Sequence, residues 1–171
     1  RTAAARNPQN KSLTYTYDAV GNRRSMQSAD SGRFSYSYDL ANQNTVVLNP
    51  FAERTSLSYD VAGKLTLRRL SNGTRTSYVY DANDRRTAVD NRTSAGAAIA
   101  TFNYRYDNVG NPTRMVEASG DRVTWSYDKA YQLTRERRSG ANAYDTTYTY
   151  DGAKNRRLMI DSGSRTTYTC D

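Results

Sequence analysis

The sequence predicts an all-β protein of tandem β-hairpins, about 21 residues each, laid side by side in an antiparallel sheet. Three observations predict it. The phrase Tyr104-Arg105-Tyr106-Asp107-Asn108-Val109-Gly110-Asn111 returns along the chain in register. Ahead of the Tyr-Asp pairs, aromatic or apolar residues alternate with residues that are mostly Ser and Thr. Behind each pair stand residues that favour tight turns.

The Tyr-Asp pairs are Tyr17-Asp18, Tyr38-Asp39, Tyr59-Asp60, Tyr80-Asp81, Tyr106-Asp107, Tyr127-Asp128 and Tyr150-Asp151. An eighth phrase opens at Tyr168-Thr169-Cys170-Asp171, with Cys170 in the tyrosine place. Leading up to each pair run triplets such as Leu13/Tyr15/Tyr17, Phe34/Tyr36/Tyr38, Thr76/Tyr78/Tyr80 and Val123/Trp125/Tyr127. The residues between them are mostly Ser and Thr, as in Ser35 and Ser37 or Thr124 and Ser126. Period two with β-branched and aromatic residues is the pattern of a half-buried strand. A helix would scatter the rings around its axis.

Each first strand ends at Asp. Asp18-Ala19-Val20-Gly21, Asp60-Val61-Ala62-Gly63 and Asp107-Asn108-Val109-Gly110 suit a type I turn, with the carboxylate bonding backbone two residues on. Gly21, Gly63 and Gly110 are the turn glycines; Asn42 and Asp84 replace them elsewhere, and Tyr131 and Lys154 fit that place badly. A second strand follows, over Lys64–Leu70, Arg85–Val89, Asn111–Val116, Gln132–Arg138 and Asn155–Ile160. Gly32, Gly73, Gly120, Gly140 and Gly163 mark the turns back to the next aromatic strand. Asn49-Pro50-Phe51 is a further turn, and Asp90–Ala100 reads as a surface loop that lengthens one hairpin.

Residues 1–12 carry no repeat signal and read as a weakly ordered flank; residues 13–171 hold seven full repeats and the start of an eighth. A chain that ends inside a motif is expected to be a fragment of a longer protein. The composition resists an ordinary core: hydrophobic residues are 36%, mean hydropathy is −0.92, and Ile99 and Ile160 are the only isoleucines. An aromatic content of 11% on a strict period separates the chain from disordered sequences. Stacked hairpins would bury one aromatic row against the next.

The residue inventory excludes several chemistries. Histidine is absent, so no Ser-His or Cys-His nucleophile and no histidine metal site can be built. Phosphate-binding glycine motifs are missing, and the single cysteine rules out an internal disulfide framework. The periodic aspartates lack the dense Asp/Gly spacing of calcium loops and read as turn caps. Equivalent aspartates in equivalent surroundings also do not separate an acid from a base. The reading is therefore not an enzyme, with no cofactor and no metal. No apolar run is long enough for a transmembrane helix, and no signal-peptide pattern opens the chain.

The basic residues allow two readings. Lys and Arg total 25 against 17 acidic residues, a formal charge of +8. Arg23, Arg24, Arg85, Arg86, Arg156 and Arg157 follow the turns and would line up as a stripe. Such a stripe is either a binding module for acidic glycan, nucleic acid or an acidic partner, weak and salt-sensitive, or a face of arginine stems covering tyrosine rings.

The phrase Y-x-Y-D-x-x-G-N, in seven full copies from about Leu13 onward, resembles the repeat of the Rhs/YD-repeat family. That family includes Rhs polymorphic toxins, the BC components of insecticidal toxin complexes and the teneurins. The resemblance implies a twisted, spiralling sheet that walls a compartment, as in toxin carriers, or forms a cell-surface scaffold. It further implies a secreted or cell-surface setting, and as partners the remainder of a parent chain or an enclosed polypeptide. Open strand edges imply self-association. One departure stands out: the family's Leu two places after the turn Gly is kept at Leu65 and Leu133, but Arg23, Asn44, Arg86, Pro112 and Arg156 replace it.

Overall fold

The computed structural model describes residues 2–6, 11–30 and 32–169, and all regular structure among them is β. Sixteen strands form one open sheet in which every strand pairs with its neighbour in sequence. The chain divides into two compact units, residues 1–78 with 91–99, and residues 79–90 with 100–171.

In the first unit, β1 (Thr2–Arg6) and β2 (Ser12–Tyr17) are followed by β3 (Arg23–Ser28), β4 (Gly32–Tyr38), β5 (Asn44–Leu48), β6 (Arg54–Tyr59) and β7 (Leu65–Arg69). β8 (Arg75–Tyr80), β9 (Arg86–Arg92) and β10 (Ala98–Tyr106) contribute to both units. The second unit continues with β11 (Pro112–Glu117), β12 (Arg122–Tyr127), β13 (Leu133–Ser139), β14 (Tyr144–Tyr150), β15 (Arg156–Asp161) and β16 (Ser164–Thr167).

Two sequence expectations change. Thr2–Arg6 is a strand, paired with β2 from Thr2↔Thr16 to Arg6↔Ser12, where a weakly ordered flank was expected. It needs no motif, because the outer edge of β2 offers free ladder groups and small side chains suffice to pair there. The expected loop over Asp90–Ala100 is mostly strand. β9 runs to Arg92, β10 starts at Ala98, and Thr93–Gly96 closes them with the same bonds as the motif turns. Its small residues hid the strand ends. Asn49-Pro50-Phe51 does turn, with Asn49 in the aspartate role: its Oδ1 accepts from the backbone N–H of Phe51 and Glu53. Cys170 lies outside the described residues.

Packing rests on rows that cross the strands rather than on a sealed core. In the first unit Met26 stands between Tyr15 and Phe34, and Val47 between Tyr36 and Thr55. In the second, Met115 stands between Tyr104 and Val123. Val123 is the one buried hydrophobic residue described, at 4% exposure. The motif tyrosines are half-buried, so their rings gain from area covered on one side. The three buried polar residues described, Ser25, Thr76 and Thr146, are satisfied across strands: Ser25 with Thr16 at 2.6 Å, Thr76 with Asn91 at 2.8 Å, and Thr146 with Asp161 at 2.9 Å.

Candidate functional site

The repeated Tyr-Asp turn is the feature that recurs along the chain with the same bonds. Each turn bonds in the same way. The Asp18 N–H donates to the Asn22 carbonyl at 2.9 Å, and the Gly21 N–H returns to the Asp18 carbonyl. The same pair of bonds closes the turns at Asp39, Asp60, Asp81, Asp107, Asp128 and Asp151. This is a type I turn closed by a residue in left-handed backbone. The carboxylate ties it from inside. Asp107 Oδ1 accepts from the N–H of Val109 at 3.0 Å and of Asn111 at 2.8 Å. Its second oxygen accepts from Asn111 Nδ2 at 3.0 Å. Asp18, Asp39, Asp60, Asp81 and Asp128 likewise each accept two backbone N–H groups.

The electrostatics follow from those bonds. Burial pushes Asp18, Asp81 and Asp107 up, and the hydrogen bonds from the turn outweigh it and hold each below the usual carboxylate range. At Asp151 the Asn155 backbone bond is the largest cause of the same lowering. These aspartates are anionic acceptors at neutral pH, fully engaged by their own turns.

Left-handed backbone is required at the fourth place of every motif turn. Gly21 (φ 95°), Gly63 and Gly110 supply it without cost, but Tyr131 (φ 60°) and Lys154 (φ 70°) hold it with side chains that fit it badly. The strain amounts to roughly 1–2 kcal/mol per residue. Replacing the exposed Tyr131 by Gly is therefore expected to stabilise the protein by about 1 kcal/mol, less the entropy cost of glycine. Urea denaturation measures it, and a loss of stability would show that the Tyr131 ring contributes more than its backbone costs.

The motif tyrosine links one repeat to the one before. Tyr38 Oη donates to the Arg23 carbonyl at 3.0 Å, and Tyr59 to Asn44 at 2.8 Å. Tyr106 donates to Arg86 at 2.7 Å, Tyr127 to Pro112 at 2.9 Å, and Tyr150 to Leu133 at 2.8 Å. Burial, then the preceding repeat's aspartate, raises the pKa of Tyr59 and Tyr127, which keeps these phenols protonated donors. In these five links the acceptor is the residue two places after the left-handed turn residue. A backbone carbonyl is indifferent to its side chain, which is why Arg, Asn and Pro are tolerated there.

One device escapes a reading of the sequence. Six motif strands shift register just before the tyrosine, as between Ser58 and Tyr59, leaving one residue of the return strand unpaired. That residue is Thr45, Thr66, Thr113 or Thr134 in the repeats with this threonine. Its hydroxyl donates back across the bulge, from Thr66 to the Ser58 carbonyl at 3.1 Å and from Thr134 to Ser126 at 3.1 Å. Thr87 donates to Val79 in the same manner. A bulge of this kind adds local twist. The signal present in the sequence was a threonine seven places after the motif tyrosine in five repeats.

The post-turn arginines separate by role. Arg23 lies over the Tyr36 ring at 4.5 Å and the Tyr15 ring at 6.0 Å. Arg156 lies over Tyr148 at 4.8 Å and Tyr168 at 5.7 Å, and Arg86 over Tyr80 at 6.0 Å. Arg85 covers Tyr106 at 5.0 Å, pairs with Asp81 at 2.8 Å and donates to the Asp107 carbonyl at 2.8 Å, which ties successive turns. Arg24 and Arg157 occupy the unpaired bulge place and are exposed.

A family model described as Teneurin YD-shell matches residues 7–168. No curated protein matches the sequence. Among solved structures, the crystal structure of TcdB2-TccC3-TEV superposes with a TM-score of 0.78 at 23% identity, covering 89% of this chain and 9% of that one. TcdB2-TccC3 gives 0.77 at 22% identity with the same coverages, as does TcdB2-TccC3 without its hypervariable C-terminal region. At that identity the likeness is one of fold, and the chain spans 9% of the length of the solved chains it resembles.

Proposed function

Because the chain belongs to the teneurin YD-shell family, we propose that it is a length of β-shell wall, completed by further strands at its two open edges, β1 and β16. The role is structural. Its motif aspartates close turns and five of its motif tyrosines link repeats, which supports that role. The observation behind the proposal is the strand order: every neighbour in the sheet is the next strand in sequence, so the array extends by adding hairpins at its ends. Within the proposal the wall either encloses a compartment holding a polypeptide or forms a scaffold at a cell surface. Both imply a secreted or surface setting. The edges would pair with the rest of a parent chain or, in isolation, with further copies.

Sedimentation of the 171-residue chain across concentration and salt tests this. A formal charge of +8 opposes contact between copies at low salt, so association is expected to rise as salt screens it. Proline placed singly at Ala3 and at Ala4 removes successive N–H groups of β1, one of which faces outward. One of the two variants should associate less than the other. A monomer under all conditions, or two variants that behave as the wild type, would remove the open-edge reading.

A further inference from the structure

We propose that the hydroxyl-bearing face of the sheet over β10 to β12 binds an acidic peptide segment, held by the opposed guanidinium groups of Arg105 and Arg114. The register carries the argument. Arg105 pairs directly with Arg114, and Asn103 with Val116, so these four share one face. Arg114 then pairs with Thr124, and Val116 with Arg122. Arg137 lies opposite Thr124, and Arg135 opposite Ser126. Five arginines therefore stand on one face of neighbouring strands. From β10 to β14 that face holds a single acidic residue, Asp145 opposite Arg137, and its carboxylate is already gripped by Arg135.

Like charges directly across a ladder repel, so the Arg105–Arg114 pair is unfavourable as it stands. It also leaves a polar atom unsatisfied: Arg114 Nε is buried without a hydrogen-bond partner. A buried donor of that kind costs stability until an acceptor reaches it. A carboxylate laid between the two side chains would supply the acceptor and cancel the repulsion, in the planar two-bond geometry that guanidinium groups favour.

The surroundings choose the class of ligand. The two arginines open into a groove of about 470 Å³ whose other walls include Val79, Ala88 and Val116. Val79 is 55% exposed. A chain that alternates acidic and apolar side chains covers both kinds of wall at strand spacing. A sulfated polysaccharide would leave the apolar walls bare. Single-stranded nucleic acid relies on aromatic platforms, and the one ring in the lining, Tyr104, alternates with Asn103 and Arg105 and so belongs to the opposite face. This face is separate from the post-turn arginines, and the proposal does not rest on the shell reading.

The test uses the full 171-residue chain and a fluorescent octapeptide of alternating Glu and Val, read by anisotropy at about 150 mM salt. Arg105→Ser with Arg114→Thr is expected to weaken binding about tenfold or more, as loss of a charge-assisted pair does. Arg33→Ser with Arg54→Ser removes the same charge from exposed places in the first unit and should change binding less than about twofold. Equal weakening by both pairs would reduce the effect to net charge and overturn the proposal. So would tighter binding of a heparin oligosaccharide or of oligothymidylate at these arginines. Should the double variant fail to fold, backbone amide shifts of the wild-type chain on adding the peptide decide: shifts centred on β10 to β12 support the site, and shifts elsewhere or none refute it.

Discussion

Truncating Tyr127 to Ala is expected to lower the free energy of unfolding by about 2–3 kcal/mol, somewhat under the range for fully buried aromatics. The ring is half-buried, which sets the discount. Two losses combine. Ring area returns to water on the face that also carries Trp125 and the buried Val123. The link from Tyr127 Oη to the Pro112 carbonyl is also lost, which detaches one repeat from the turn of the repeat before. Tyr127→Phe keeps the area and drops only the bond, and should cost about 1 kcal/mol. Ser126→Ala, one residue away on the opposite face, should stay within about 0.5 kcal/mol, because only the Ser126 backbone carbonyl is in use, by Thr134. Urea unfolding at constant slope gives all three numbers. Equal costs for the alanine variants at 126 and 127 would mean that the two faces of the strand were assigned the wrong way round. A phenylalanine variant as damaged as the alanine one would place the whole effect in the hydrogen bond.

What was legible in the sequence was what is local along the chain. The hairpin, the aromatic face and the capping aspartate each occupy a few consecutive residues, so period-two alternation and turn chemistry were enough to find them. The features that escaped depend on which residue sits across from which. The bulge threonine acts on a carbonyl eight residues earlier, and the tyrosine link spans 15 residues in the Tyr59–Asn44 and Tyr127–Pro112 pairs. Neither partner is marked by its own residue type, because the accepting atom is backbone. The opposed Arg105 and Arg114 were invisible for the same reason: nine positions separate them, and only the register makes them neighbours. The misread loop at Asp90–Ala100 had a different cause. A run of Ala, Gly and Ser offers little strand propensity, and its strands form because adjoining strands supply ladder partners.

Gly73→Ala is expected to cost about 2–4 kcal/mol. Two separate penalties fall on it. Gly73 closes the turn that begins at Leu70 with φ of 81°, where any residue with a Cβ is strained by roughly 1–2 kcal/mol. A Cβ built there would also lie 2.6 Å from Ser94 Cβ and 3.4 Å from Ser94 Cα, in the turn of the neighbouring hairpin. The first contact is the clash, and because a Cβ is fixed by its own backbone, rotating the Ser94 side chain does not relieve it. Gly21 isolates the first penalty. It has φ of 95° and nothing within 4 Å of the place a methyl would take, so Gly21→Ala should cost only the backbone strain, about 1 kcal/mol. Adding Ser94→Gly to Gly73→Ala removes the nearest contact and should recover the difference between the two sites, a coupling that a double-mutant cycle reads directly. If Gly21→Ala and Gly73→Ala cost the same and Ser94→Gly rescues nothing, the turns at 73 and 94 are not packed against each other, and the hairpins of the first unit are held by their strand ladders alone.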